Sequence, residues 1–204
     1  MDEAVQAARA MAKSPDVFLP DQFSNPATAR HLATKLTRHF AGDDPPPAMV
    51  DRLASAYLKS GGDLPAVYRA IVQSPEAWSP QPVKFKSPWE WSVSALRAVG
   101  QEQIQPQMAA GLLNQLGQPT WRPGSPAGFD DIAASWAAPE ALMLRVEAAQ
   151  RIAERAGSSV DARALAEKLF PGSLSDTTRT AVARAESPSE GLALLLVSPE
   201  FVRR

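Results

Sequence analysis

The sequence contains no cysteine and only two histidines among its 204 residues. The absence of cysteine excludes disulfides, thiolate metal sites and cysteine nucleophiles. His31 and His39 are eight residues apart on one predicted helix, which separates them by about 12 Å along its axis. One metal ion cannot bind both side chains, so we expect no metal site. No phosphate-binding glycine loop or dinucleotide fingerprint occurs, so we expect no cofactor either.

Charge and long apolar runs are also limited. The formal net charge is −1, so no overall positive field would hold the chain on nucleic acid. The longest strongly apolar run, residues 192–197, is far shorter than the roughly 20 residues of a membrane span. We therefore expect a soluble chain with neither a nucleic-acid partner nor a membrane span, and the compartment stays open.

Residues typical of strands are scarce, whereas helix formers are abundant. The chain has 36 Ala and 19 Leu against 13 Val, 4 Ile and 7 Thr. This balance favours helices, because β-branched side chains lose rotamer freedom in a helix and alanine loses none. No stretch alternates apolar and polar residues as a strand does, so the fold class is predicted to be all-α, a bundle of about ten or more helices.

The chain has 19 prolines, and those that follow a capping residue mark helix starts and do not break helices, because proline is well suited to a first helical turn. Ser87-Pro88 and Ser187-Pro188 each have a glutamate at the capping-box position, Glu90 and Glu190. Caps of this kind, and glycines after apolar stretches, predict helices at 2–13, 26–41, 47–60, 64–73, 88–99, 105–116, 130–136, 139–156, 161–170, 176–186 and 188–197.

The sequence contains an internal repeat. Residues 29–36 and 162–169 agree at six of eight positions, and each segment is followed later by Ser-Pro-Glu, at 74–76 and 198–200. The second copy is the shorter, and we expect the difference in its middle helix and connections. Ser14-Pro15-Asp16 resembles the end of a third copy. The predicted organisation is a single all-α domain, 1–204, made of a three-helix unit at 26–76, a Trp/Pro-rich middle at 77–158 and a three-helix unit at 161–200.

Few residues carry a pattern typical of catalysis. Arg30 and His31 belong to a basic helix flank that could hold a phosphate or carboxylate, or that is simply a solvated face. The pairs Asp43-Asp44 and Asp130-Asp131 precede predicted helices, where acids act as caps. Adjacent carboxylates do not face each other across a substrate, so we interpret both pairs as caps rather than glycosidase acids.

The tryptophans leave two interpretations open. All five lie in one part of the sequence: Trp78, Trp89, Trp91, Trp121 and Trp136. With Lys84, Lys86 and Arg122 they could form a stacking surface for a base, a sugar or a peptide. Alternatively they form a core seam, with Trp89, Val93 and Leu96 on one helix face.

Two proline-rich crossings, 79–87 and 117–129, are predicted to be ordered and attached to the helices by Phe85, Trp121 and Phe129. Such a crossing leaves backbone N–H and C=O groups that a helix would have paired internally. A tryptophan face and charges of both signs lie beside those groups in the second crossing. We therefore place the candidate partner-binding residues there: Trp121, Arg122, Phe129, Asp130 and Asp131, with Arg30 and His31 as further candidates.

Several blocks of the sequence resemble a known family. The run that starts at Asn25-Pro-Ala-Thr-Ala-Arg, with Asp44-Pro-Pro-Pro, Ser60-Gly-Gly-Asp-Leu and Ser74-Pro-Glu-Ala-Trp, is similar to the bacterial domain-of-unknown-function 1800 family. Later blocks, from Lys86-Ser-Pro-Trp-Glu to the Phe129–Trp136 stretch, extend the resemblance over most of residues 25–156. Residues 14–24 depart from the family and look like an insertion. The resemblance implies a C-terminal portion of a longer protein, of a family with many exported members, and implies no activity or catalytic residue.

Together these observations favour a non-catalytic binding or scaffolding module, whose protein, peptide or small ligand and oligomeric state are open. The alternative is the C-terminal part of an enzyme whose catalytic groups lie upstream or in a partner. In that case Arg30, His31 or Asp131 would contribute to a shared cleft.

Overall fold

The structure, a computed structural model, describes residues 25–80 and 82–204. Within these residues it has ten α-helices and no strand beyond an isolated antiparallel bridge between Phe85 and Arg203, which confirms the all-α fold class. The helices are α1 (Pro26–Ala41), α2 (Pro47–Lys59), α3 (Leu64–Val72), α4 (Pro88–Ala98), α5 (Pro106–Gln115), α6 (Ala133–Trp136), α7 (Pro139–Ala156), α8 (Ala162–Leu169), α9 (Asp176–Arg184) and α10 (Pro188–Leu196).

Most predicted helices in this part of the chain are confirmed to within two residues at either end. The exception is the helix predicted at 130–136, which begins only at Ala133 because Ile132 is extended, with φ −139°. The helix predicted at 2–13, the Ser14-Pro15-Asp16 turn and the insertion at 14–24 lie outside the described residues.

The two predicted capping boxes differ in the structure. At α4 both bonds form: the Glu90 N–H donates to Ser87 Oγ at 3.3 Å and the Ser87 N–H donates to Glu90 Oε2 at 2.8 Å. At α10 the Glu190 N–H donates to Ser187 Oγ, but the Glu190 carboxylate accepts from the N–H of Glu186 at 2.6 Å. The second box is therefore half formed, because its carboxylate caps the preceding turn instead.

The chain forms two compact units, an N-terminal unit described over residues 25–80 and a C-terminal unit of residues 82–204. Whether the two units fold together as the single domain predicted above stays a prediction. In the N-terminal unit α2 packs against both α1 and α3. Its buried core consists of Ala29, Ala33, Met49, Val50, Leu53, Tyr57, Val67 and Ile71.

The C-terminal unit is built around α10, which packs against α7, α8 and α9. Leu192, Leu195 and Leu196 are fully buried, as expected for a helix that is apolar on all sides. Gly191 is closely surrounded, but a Cβ there would lie 3.4 Å from the side chain of Ala185 and 3.6 Å from that of Ala162, which are ordinary van der Waals distances. The core of this unit also includes residues from the earlier helices, such as Trp91 and Leu116.

The two predicted repeats each contain three helices and a Ser-Pro-Glu turn. The last helices, α3 and α10, both have 9 residues. The middle helices differ, with 13 residues in α2 and 9 in α9, and so do the first helices, with 16 in α1 and 8 in α8. The shortening thus affects the first helix as well as the middle one, and duplication itself stays a prediction.

The glutamate of each Ser-Pro-Glu turn binds the middle helix of its own unit. Glu76 accepts from the guanidinium of Arg52 on α2 at 3.0 and 3.3 Å. Glu200 accepts from the N–H of Ser175, the N-cap of α9, at 3.0 Å and from Thr178 Oγ1 at 2.8 Å. Each turn thereby fixes the end of its third helix to the middle helix.

The pKa of Glu200 makes this contact testable. Partial burial would raise the pKa, but the hydrogen bonds from Ser175 and Thr178 outweigh it and lower the pKa from 4.5 to about 2. A carboxyl with a lowered pKa stabilises the fold above its ordinary pKa, and this contribution is lost as the pH falls from 4.5 towards 2. We expect Glu200→Gln to be less stable at neutral pH and to lose less of its stability over this range. Denaturant titrations at several pH values measure both effects.

Glu102→Gln is the control, because Glu102 is exposed. If Glu200→Gln and the unmodified chain lose the same free energy of unfolding between neutral and acid pH, Glu200 contributes no such stabilisation.

Candidate functional site

The candidate site is the segment between α5 and α6, residues 117–132, hereafter the 117–132 loop. It begins at Gly117, whose φ of 83° ends α5, and the N–H of Gln118 donates to the carbonyl of Leu113 at 2.9 Å. The side-chain oxygen of Gln118 accepts from the N–H of Trp89 at 2.8 Å. The start of the loop is therefore fixed to the first turn of α4.

Trp121 is at the exposed tip of the loop. Its side chain is 94% exposed, and it is the only non-glycine residue with positive φ, 58°, in residues 25–80 and 82–204. The prediction that Trp121 attaches the crossing to the helices is therefore wrong. The neighbouring Arg122 is also exposed, and its N–H closes a turn onto the carbonyl of Pro119 at 3.3 Å.

The other end of the loop packs on α6. The ring centroids of Phe129 and Trp136 are 6.2 Å apart, and Trp136 Nε1 donates to the carbonyl of Asp130 at 2.8 Å. Ser135 Oγ donates to the carboxylate of Asp130 at 2.9 Å. Phe129 is thus the aromatic anchor of this crossing, as predicted, and Asp130 is oriented by α6.

Asp131 lies two residues before α6 and also binds a lysine that is distant in the sequence. Its carboxylate is 3.1 Å from Lys84 Nζ, which also donates to the Asp131 carbonyl at 2.5 Å. Lys84 is only 3% exposed, so its charge needs this partner. The N-cap of α6 is Ile132, which has no side chain able to cap. Asp131 therefore serves a long-range ion pair that local sequence does not reveal.

The segment that contains Lys84 is held by cations bound to main-chain oxygens. Lys84 and Arg204 exchange two backbone hydrogen bonds, of 3.1 and 2.9 Å. Lys86 Nζ donates to the carbonyl of Phe201 at 2.7 Å, and Arg145 Nη2 donates to the carbonyl of Lys86 at 2.7 Å. The crossing at 79–87 is thus attached to the end of the chain and to α7.

Burial lowers the pKa of Lys86 to about 8 and that of Arg145 to about 10. For Lys86, the positive charges of Arg145 and Arg204 act in the same direction, whereas Glu90 opposes them. These cations bind backbone carbonyls of the unit itself, so we interpret them as structural.

A cavity of about 290 Å³ lies beside the anchored end of the loop and is lined by Gly124, Ser125, Gly128, Phe129, Asp130, Ser135 and Trp136. The structure therefore brings Phe129 and Asp130 together, whereas Trp121, Arg122 and Asp131 do not line this cavity.

The remaining candidates, Arg30 and His31, belong to α1 of the N-terminal unit. Arg30 Nη1 is 2.7 Å from the carboxylate of Asp51, and both side chains are mostly exposed. His31 is exposed on the same helix. Arg30 and His31 therefore lie on the solvent-exposed face of α1 in the N-terminal unit.

The five tryptophans divide between the two interpretations. Trp91 and Trp136 are buried in the core of the C-terminal unit, whereas Trp78, Trp89 and Trp121 are exposed by 68%, 55% and 94%. The predicted seam of Trp89, Val93 and Leu96 is therefore wrong, because α4 buries a different face, which includes Trp91 and Ala95. Trp91 Nε1 donates to the carbonyl of Leu196 at 2.8 Å.

Sequence reasoning missed the buried Arg145. It is 2% exposed, and its guanidinium carbon is 4.6 Å from the ring centroid of Phe85. A signal was present: Arg145 precedes Ala148, Ala149 and Ile152 at helical spacing, so a cation occupies the apolar face of α7.

In residues 25–80 and 82–204, no group of three or more His, Asp or Glu side chains could hold a metal ion. No helix there has the length and apolar character to cross a membrane.

Comparison with known proteins gives one family. A family model described as "Protein of unknown function (DUF1800)" matches residues 2–203. No curated protein and no solved structure matches the chain significantly.

Proposed function

Because the chain belongs to the DUF1800 family, whose description assigns no activity, we propose a function from the surface itself: a non-catalytic binding module that contacts its partner through Trp121 and Arg122. The observation that carries the proposal is the exposure of Trp121 at a backbone angle that disfavours tryptophan. A left-handed conformation costs a non-glycine residue about 1–2 kcal/mol. Because the side chain is exposed, it makes few packing contacts within its own unit, and these do little to offset the free-energy cost of the backbone conformation.

Both ends of the loop are attached to helices, which favours binding through its tip. Gln118 fixes its start to α4, and Phe129 and Asp130 fix its end to α6. A tip held at both ends loses little conformational entropy when it binds. Tryptophan and arginine are also the residues most often found at the energetic centre of protein interfaces.

The test compares the full-length chain with Trp121→Ala and Arg122→Ala as bait in lysate of the native host. Trp78→Ala is the matched control, since Trp78 is also a mostly exposed tryptophan. We expect a partner that is retained by the unmodified chain and by Trp78→Ala and lost by both loop variants. With the purified partner, Trp121→Ala should weaken binding by about thirtyfold, which corresponds to roughly 2 kcal/mol.

Stability separates a binding role from a structural one. Because Trp121 is exposed and alanine at φ 58° is strained as tryptophan is, Trp121→Ala should change the free energy of unfolding by no more than about 0.5 kcal/mol. Trp121→Gly should be at least as stable as Trp121→Ala, since glycine adopts φ 58° without strain. If Trp121→Ala unfolds the chain, or if every variant retains the same partners, the proposal is wrong.

A further inference from the structure

Another cavity of the C-terminal unit lies between α4, α5 and α7, and no residue of the 117–132 loop lines it. Its volume is about 140 Å³. Apolar side chains from all three helices and from the α4–α5 connection line it: Leu96, Ile104, Leu112, Ala148 and Ile152. An apolar cavity of about this size holds one benzene ring in another protein, so the volume sets the size of a suitable apolar group.

Two arginines, Arg151 and Arg155, line the same cavity from successive turns of α7. Arg151 donates to the side-chain oxygen of Gln115. Arg155 Nη1 contacts Met108 Sδ at 3.3 Å, and a thioether is a weak acceptor. In the part of the chain that the structure describes, neither guanidinium pairs with a carboxylate. The cavity therefore combines an apolar interior with an exposed cation at its edge that no carboxylate neutralises.

We propose that this cavity binds a small apolar monocarboxylate, with the hydrocarbon group against Leu96, Leu112 and Ile152 and the carboxylate on Arg155. A planar guanidinium binds a carboxylate through two parallel hydrogen bonds, which Met108 cannot supply. No acidic side chain lines the cavity, so the local charge favours an anion. The apolar interior distinguishes this ligand from inorganic phosphate, and the arginines distinguish it from a neutral hydrocarbon.

Gly111 provides a way to close the cavity. It lies within α5 and lines the cavity, and a Cβ at this position would meet no atom within 4 Å. A larger side chain can therefore enter the space that the ligand would occupy. Alanine is also a better helix former than glycine, so Gly111→Ala should unfold at a higher temperature.

The experiment is calorimetric titration of the full chain with benzoate, hexanoate, benzyl alcohol and inorganic phosphate. We expect benzoate or hexanoate to bind one saturable site with a dissociation constant below about 1 mM. Arg155→Met should weaken this binding by about tenfold or more, and Gly111→Leu should abolish it. Arg184→Met, which removes an exposed arginine of α9 far along the chain, should bind like the unmodified chain.

Several outcomes would overturn the proposal. Benzyl alcohol binding as tightly as benzoate would show that Arg155 contributes nothing, and phosphate binding as tightly would indicate a surface anion site. Absence of binding by both carboxylates would exclude the ligand class. If Gly111→Leu fails to fold, as judged by circular dichroism, Arg155→Met still decides the result. This site and the 117–132 loop are independent, so Trp121→Ala should leave benzoate binding unchanged.

Discussion

Replacing Trp91 with alanine is expected to lower the free energy of unfolding by about 4 kcal/mol, close to the upper end of single substitutions. The side chain is fully buried in the core of the C-terminal unit. Its removal leaves a cavity, because neighbouring helices relax only partly around the missing ring. It also removes the indole donor from the carbonyl of Leu196, which lies in the last turn of the central helix α10.

The matched control is Trp89→Ala, two residues away on the same helix. Trp89 is 55% exposed, so its loss should cost no more than about 1 kcal/mol. Urea titrations followed by circular dichroism measure both variants without relying on tryptophan fluorescence. Trp91→Phe helps to separate the two causes, since it keeps an aromatic ring, leaves only a small cavity and loses the donor, at a cost of about 1–3 kcal/mol. Equal losses for Trp89→Ala and Trp91→Ala would contradict the packing described above.

Replacing Arg145 with alanine should cost about 3 kcal/mol or more, whereas methionine at the same position should cost less than half as much. Alanine leaves a cavity beside Phe85 and removes the donor to the carbonyl of Lys86. Methionine removes the donor but fills most of the volume. It also removes a buried charge, whose Nη1 finds no acceptor among the described residues.

The pKa of Lys86 supplies a second measurement for the Arg145 variants. Burial is the main cause of its lowering to about 8, but the positive charge of Arg145 contributes in the same direction. Arg145→Met should therefore raise the pKa of Lys86 towards its ordinary value while leaving the chain folded, as followed by titration of the lysine amine in nuclear magnetic resonance spectra. If methionine proves as destabilising as alanine, the charge of Arg145 is needed for stability and this account is wrong.

The positions of the helices can be predicted from local sequence, because their starts and ends depend on local chemistry. Pro26, Pro88 and Pro188 each occupy the first helical position, where the missing N–H has no partner to lose. Gly157, with φ 57°, follows α7 where a side chain would be strained. Each of these preferences acts within a few residues and needs no knowledge of the rest of the fold.

Tertiary structure decided which faces of those helices are buried, and hence which residues remain for function. Trp89 and Trp91 are neighbours of the same type on α4, yet only Trp91 faces α10. Asp131 lies just before a helix, but its contact with Lys84, 47 residues away, cannot be read from the local sequence. Trp121 looks like an aromatic anchor until the loop tip is seen to extend into solvent. Local preferences limit backbone angles, whereas burial and ion pairing depend on distances between segments that only the packed chain brings together.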